Sequence, residues 1–135
     1  MIEGGVKTEK YILLTKDTKI NSYLRMPRFL ISMKLSNEAK VLYALLLDRA
    51  SISIKNGFIE PSGAVRVYFT LEEAKDKLHK SRQVTTRIFR ELEMSGLIVR
   101  KRQGQGRPSM ITLKVPKEEP KVVRKENKRE ARQAG

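Results

Sequence analysis

The sequence predicts an α+β fold, mainly α, from the order of its hydrophobic patterns and turn signals. A helix with leucines at helical spacing is followed by a short alternating strand, two helices joined by a tight turn, and a two-stranded hairpin. This is the order of a winged helix-turn-helix: three core helices plus a β-hairpin wing and a short strand. With 135 residues, 39% of them hydrophobic, the chain can form a single independent core.

Start and stop signals place the first half of these elements. Ser36 can cap free N–H groups, so the first helix is predicted to begin there and to run to about Ala50. Apolar and polar residues alternate over residues 65–69, which indicates a strand. Thr70 and Glu73 have the spacing of a capping box, in which each side chain bonds the backbone N–H of the other. A second helix is therefore expected directly after the strand.

The second half follows from similar signals. The second helix is predicted to end near His79, and Ser81 is a suitable cap for a third helix that ends at Gly96. Residues 97–101 and 111–115 are predicted strands of a hairpin whose turn contains two glycines. We therefore divide the chain into an N-terminal arm (residues 1–33), a winged-helix domain (34–116) and a basic tail or linker (117–135).

Positive charge is concentrated toward the C-terminal half. The chain has 29 Lys and Arg against 15 Asp and Glu, a net charge of +14. Residues 81–117 contain nine basic and two acidic residues, and residues 96–117 contain six basic residues without an acidic one. Clustering of one sign favours a polyanionic partner over a merely solvated surface.

Composition excludes several classes of protein. There is no cysteine and a single histidine, His79, so a disulfide framework, a thiolate site and a histidine-clustered metal site are all excluded. A nicking enzyme with paired metal-binding histidines is excluded for the same reason. We expect a binding protein that is not an enzyme and uses no cofactor or metal. The first ten residues do not resemble a signal peptide, and no apolar run is long enough to span a bilayer, so we expect a cytoplasmic protein without a membrane partner.

The third helix divides into an apolar stripe and a polar face. Spacing of 100° per residue puts Val84, Ile88 and Leu92 on one side, with arginine, glutamine and threonine opposite. Arginine can grip guanine, and glutamine adenine, through two hydrogen bonds each. The hairpin, including Arg100, is expected to place basic groups at one tip, suited to phosphates or a narrow minor groove. The predicted DNA-binding residues are Ser81, Arg82, Gln83, Thr86, Arg87 and Arg90 on the helix, and Lys101, Arg102, Gln103, Gln105 and Arg107 on the hairpin.

An ordinary surface helix is the alternative interpretation. In that case Glu91 or Glu93 would pair with the arginines of the same helix and neutralise them.

Four segments carry a family resemblance: residues 24–30 (LRMPRFL), 35–49 (LSNEAKVLYALLLDR), 53–59 (SIKNGFI) and 96–108 (GLIVRKRQGQGRP). Over about residues 23–115 the chain closely resembles the N-terminal domain of the plasmid replication initiator A (RepA) family.

This resemblance implies a winged-helix module that binds repeated or palindromic double-stranded DNA at a replication origin of a plasmid or mobile element of low-GC Gram-positive bacteria. It implies a recognition helix over residues 81–94, a wing over residues 97–115 and a homodimer, with the apolar stretch 11–30 as the contact. Initiators of this family continue into a linker and a separate C-terminal domain, which these residues do not include. A winged-helix transcriptional regulator, and an adaptor that docks a replisome loading protein, are the alternatives.

Overall fold

The computed structural model describes residues 10–104 and 107–118, and these form the predicted winged-helix arrangement. Helix α1 (Asn37–Lys55) precedes strand β1 (Arg66–Phe69), helices α2 (Leu71–Leu78) and α3 (Arg82–Ser95), and strands β2 (Ile98–Lys101) and β3 (Ser109–Leu113). The sheet is antiparallel in the order β1-β3-β2, so the short strand joins the outer side of the wing hairpin. No helix among the described residues is long and apolar enough to cross a membrane.

Helix α1 begins where predicted but ends later. The Ser36 hydroxyl accepts a hydrogen bond from the N–H of Ala39 at 3.2 Å. The predicted end at Ala50 is wrong, because the helix continues to Lys55. The leucine pattern stops near Ala50, but nothing there interrupts the backbone hydrogen bonds. The helix ends at the turn where Gly57 adopts φ +79°, a conformation that glycine tolerates.

Helix α2 has half of the predicted capping box. The Thr70 hydroxyl accepts a hydrogen bond from the N–H of Glu73 at 2.9 Å, as predicted. The Glu73 carboxylate does not return to Thr70 but pairs with Arg49 of α1. Arg49 also donates to the carbonyl of Tyr68 at 2.9 Å, and its guanidinium lies 4.7 Å from the centroid of the Phe69 ring. Glu73 therefore links α2 to α1, because its carboxylate binds the charged guanidinium of Arg49 and not the backbone N–H of Thr70.

The core contains the predicted apolar stripe of α3. Ile88 and Leu92 are fully buried, and Val84 packs against the core from its edge. The short 3-10 helix Arg28–Leu30 lies within the predicted arm and contributes Phe29 and Leu30 to the same core. This part of the arm therefore packs against the domain, whereas the assignment of residues 117–135 to a tail falls mostly outside the described residues.

Tyr43 is fully buried on α1. Its hydroxyl donates to the carbonyl of Lys114 at 2.6 Å, just after β3, so it joins the first helix to the end of the wing. Loss of hydration raises the pKa of Tyr43 from its usual 10 to about 12.

Replacing Tyr43 should remove part of the alkaline sensitivity of the fold. As the pH rises, Tyr43 ionises near pH 10 in the unfolded chain and near pH 12 in the folded one. The contribution of neutral Tyr43 to the free energy of unfolding is therefore complete below pH 10 and is lost between pH 10 and pH 12. Two pKa units correspond to about 2 to 3 kcal/mol in the free energy of unfolding. Urea unfolding across this pH range should show that extra loss in the wild type and not in Tyr43→Phe. Parallel pH profiles for the two proteins would contradict the assignment.

The turn between α2 and α3 contains an unfavourable backbone conformation. His79 caps α2 with φ 56° and ψ 46°, the left-handed region, and the N–H of Lys80 bonds back to the carbonyl of Lys75. Gly96 ends α3 in the same way, with φ 88°. A side chain in this conformation costs about 1 to 2 kcal/mol, which glycine avoids.

His79→Gly should therefore stabilise the protein. The removal of left-handed strain is partly offset by the greater freedom of glycine in the unfolded chain, so we expect a gain of about 0.5 to 1 kcal/mol in the free energy of unfolding. Thermal unfolding measures it. His79→Ala is the control, since it keeps the Cβ atom and should bring no gain. Equal stability of the two variants would contradict this explanation.

Candidate nucleic-acid interface

Helix α3 presents the predicted division of its two faces. Thr85, Ile88, Phe89 and Leu92 are buried, and the polar face opposite them points outward. The Ser81 hydroxyl caps the helix by accepting from the N–H of Val84 at 3.2 Å. The exposed residues of the polar face are Arg82, Gln83, Arg87 and Arg90, while Thr86 is partly buried.

Two carboxylates of α3 are engaged by other elements. Glu91 accepts hydrogen bonds from the backbone N–H and the hydroxyl of Ser36, at 2.9 and 2.8 Å, and so holds α3 against the first turn of α1. Glu93 pairs with Arg100 of β2 at 3.2 Å. The alternative in which these carboxylates neutralise the arginines of their own helix is therefore wrong.

The central arginines of the polar face have no acidic partner among the described residues. The ion pairs within the described part of the chain include neither Arg87 nor Arg90. The pKa of Glu38, near the start of α1, is lowered by a hydrogen bond to the backbone and further by the positive charges of Lys80 and Arg87. Arg87 itself is exposed.

The first turn of α3 is more constrained. Arg82 donates from Nη1 to the Glu72 carboxylate of α2 at 2.6 Å. The Thr86 hydroxyl donates to the carbonyl of Arg82 at 2.9 Å, within the same helix. Because that proton is already used, Thr86 can offer a partner only its oxygen lone pairs and its methyl group.

The wing exposes four of the side chains that the sequence predicts to bind DNA. Lys101, Arg102, Gln103 and Arg107 are exposed. Gln105, also predicted to bind, lies outside the described residues.

Arg100 does not belong to the basic tip. In β2 it pairs opposite the buried Ile111, and its guanidinium lies 4.6 Å from the centroid of the Phe89 ring. Its side chain is only 12% exposed. The alternation along β2, from buried Ile98 through exposed Val99, already indicates an inward direction for Arg100. The predicted placement of Arg100 is therefore wrong, and its role is to attach the wing to α3.

Comparison with known proteins adds the family. The model of the family described as Replication initiator protein A (RepA) N-terminus matches residues 22–125. The chain belongs to this family. It is 33% identical over 115 residues to a 41 kDa protein of Lactobacillus helveticus, a match that covers 76% of this chain and 33% of that protein. The matched part of this RepA-family chain thus spans a third of the length of that relative.

Solved structures support the same family and fold. A structure described as a Rep-DNA complex has a TM-score of 0.64 and 27% identity, covering 81% of this chain and 87% of that one. A structure described as an MDR initiator has a TM-score of 0.64 and 25% identity, covering 96% of each chain. A third, the N-terminal domain of a DNA-binding protein, has a TM-score of 0.65 and 27% identity, covering 81% of this chain and 86% of that one.

Proposed function

We propose that this RepA-family domain binds double-stranded DNA sequence-specifically, at repeated or palindromic sites of a plasmid or mobile-element replication origin. One observation carries the proposal: Gln83, Arg87 and Arg90 lie exposed on one face of a helix whose own carboxylates are engaged elsewhere. A rigid helix with free arginine and glutamine side chains has the donors that guanine and adenine edges accept in the major groove. The relative solved as a Rep-DNA complex supports the same partner.

The helix and the wing have different roles in this proposal. The base edges are read by Gln83, Thr86, Arg87 and Arg90. Thr86 acts as a hydrogen-bond acceptor or through its methyl group. Ser81 lies at the N-terminus of α3, where free N–H groups favour a phosphate. The exposed wing residues contact backbone or minor groove without reading every base. In this proposal the domain acts by binding and not by catalysis, and it works in the cytoplasm, where a plasmid origin would be found.

Arg87→Ala and Arg90→Ala should lower affinity for a selected site by about 1 to 3 kcal/mol and relax base preference at particular positions, because each removes a base contact. A site selected from random DNA and a random duplex of equal length provide the two ligands, and fluorescence anisotropy measures affinity at several salt concentrations. Neutralisation of about six phosphates gives a slope of log affinity against log salt near −5.

Lys101→Ala is the matched control. It removes one positive charge from the wing, so it should weaken binding to both duplexes alike and make the salt dependence shallower. Equal losses on both duplexes for all three variants would refute the assigned roles, and a flat salt response would refute DNA binding.

We also propose that the domain forms a homodimer through the arm. Residues 11–14 have side chains that are 75–84% exposed, although all four are large and apolar. A cavity of about 630 Å³ lies between a later part of the arm and α1, with Tyr23, Met26 and Leu47 in its lining. Insertion of one arm beside α1 of a second copy would cover both apolar surfaces.

Sedimentation equilibrium at high protein concentration should therefore give the mass of a dimer, and Leu13→Asp should shift it to a monomer because a charge at the contact loses its hydration. Lys16→Asp, in the same arm but outside the apolar segment, is the control that should remain dimeric. A monomeric wild type would dispose of the proposal.

We also propose that the domain acts in the initiation of plasmid replication. Loss of plasmid maintenance in cells that carry Arg87→Ala would support an initiator, whereas repression of a reporter without any effect on plasmid copy number would favour the transcriptional regulator. A pull-down of a loading protein that survives nuclease treatment would add the proposed replisome partner.

A further inference from the structure

Glu72 and Arg82 form an ion pair across the helix-turn-helix, at the edge of the proposed DNA-binding face. Glu72 lies in the first turn of α2 and Arg82 is the first residue of α3. Their 2.6 Å contact joins side chains that are 58% and 67% exposed. Lys75 Nζ lies 3.7 Å from the second oxygen of the same carboxylate. Arg82 thus differs from Arg87 and Arg90 in having an acidic partner.

Stability does not explain this pair well. Exposed ion pairs contribute little to folding, because two long side chains lose freedom and the charges are screened by water. Glu72 does interact favourably with the positive end of α2, but that interaction does not require contact with Arg82. A carboxylate beside the first turn of α3 also repels phosphates. The pair therefore opposes the general attraction that a basic surface has for any DNA.

The geometry of a guanidinium gives the pair a further consequence. Arginine has five donors in a fixed planar fork, and Glu72 engages the Nη1 side of Arg82. The other N–H groups of Arg82 can still donate to an acceptor on DNA, but only from the orientation in which Glu72 holds the guanidinium. A free arginine in the same place could turn to whichever phosphate came nearest.

We propose that Glu72 is a positioning residue that increases sequence specificity by restraining Arg82. It screens the charge of Arg82 from phosphates of any duplex and keeps the fork in one orientation, which a selected site can accommodate. This inference rests on the proposed function.

The decisive comparison is Glu72→Gln against Asp76→Asn. Both remove one negative charge from α2, and Asp76 is 75% exposed with Lys75 as its neighbour, 3.8 Å away. Glu72→Gln should raise affinity for a random duplex about two- to fivefold more than Asp76→Asn does, which corresponds to the strength of an exposed ion pair. The salt slope on the random duplex should steepen by about 0.9, as for one more phosphate contact. Affinity for the selected site should rise less, so the specificity ratio falls.

Arg82→Ala tests whether Glu72 acts through Arg82. In that background Glu72→Gln should have no more effect than Asp76→Asn. Thermal unfolding of every variant separates binding from folding, and the conservative changes at exposed positions should leave it nearly unchanged.

The outcomes separate this inference from the proposed function. Equal effects of Glu72→Gln and Asp76→Asn, or an effect of Glu72→Gln that persists without Arg82, overturn the inference while the losses caused by Arg87→Ala sustain DNA reading by α3. If Arg87→Ala changes binding to neither duplex, both proposals fail together.

Discussion

The orientation of α3 depends on the carboxylate of Glu91, which accepts two hydrogen bonds from Ser36 at the start of α1. A helix that reads bases must be held rigidly, since its side chains must meet base edges within a few tenths of an ångström. Buried Ile88, Phe89 and Leu92 resist separation of α3 from the body, but apolar contacts are not directional. The hydrogen bonds of Glu91 are directional, and they resist rotation and sliding of α3 along α1.

The same contact directs a carboxylate of α3 toward α1. Glu73, Glu91 and Glu93 all lie near the helix-turn-helix, and each turns to a partner on another element: Arg49, Ser36 and Arg100 respectively. The charges of Glu73 and Glu93 are compensated by the arginines they pair with, whereas Glu91 is held by neutral donors and keeps its negative charge on the side of α3 that faces α1. Glu72 is different, because its partner Arg82 belongs to the polar face itself. The placement of the carboxylates, and not only the count of arginines, gives the face its charge.

The sequence patterns predicted the features that depend on local residue spacing, and they missed the side-chain contacts between residues that are distant in the sequence. The buried and exposed faces of α3 follow from a period of 3.6 residues, and the structure confirms them. The capping box at Thr70 is half formed because Glu73 finds Arg49, which is far away in sequence. Conversely, the cap of α1 is completed by Glu91, although position 39, where a local capping glutamate would lie, is an alanine. The positive charge of Arg100 indicates an exposed position, but the alternation of residues along β2 indicates an inward one, and the structure follows the alternation.

Arg49 and Arg100 share an arrangement that fixes the sheet to the helices. Each guanidinium lies over a phenylalanine ring, at 4.7 and 4.6 Å, and pairs with a glutamate. Arg49 lies on α1 and connects β1 with α2, whereas Arg100 lies on β2 and contacts Phe89 and Glu93 of α3. A cation over an aromatic face is attracted to it, more strongly where both are shielded from water. The base of the wing is therefore attached directly to α3, and the distance between the exposed wing side chains and those of the helix is set within the free protein. Backbone contacts made by the wing would then determine which base pairs lie opposite α3.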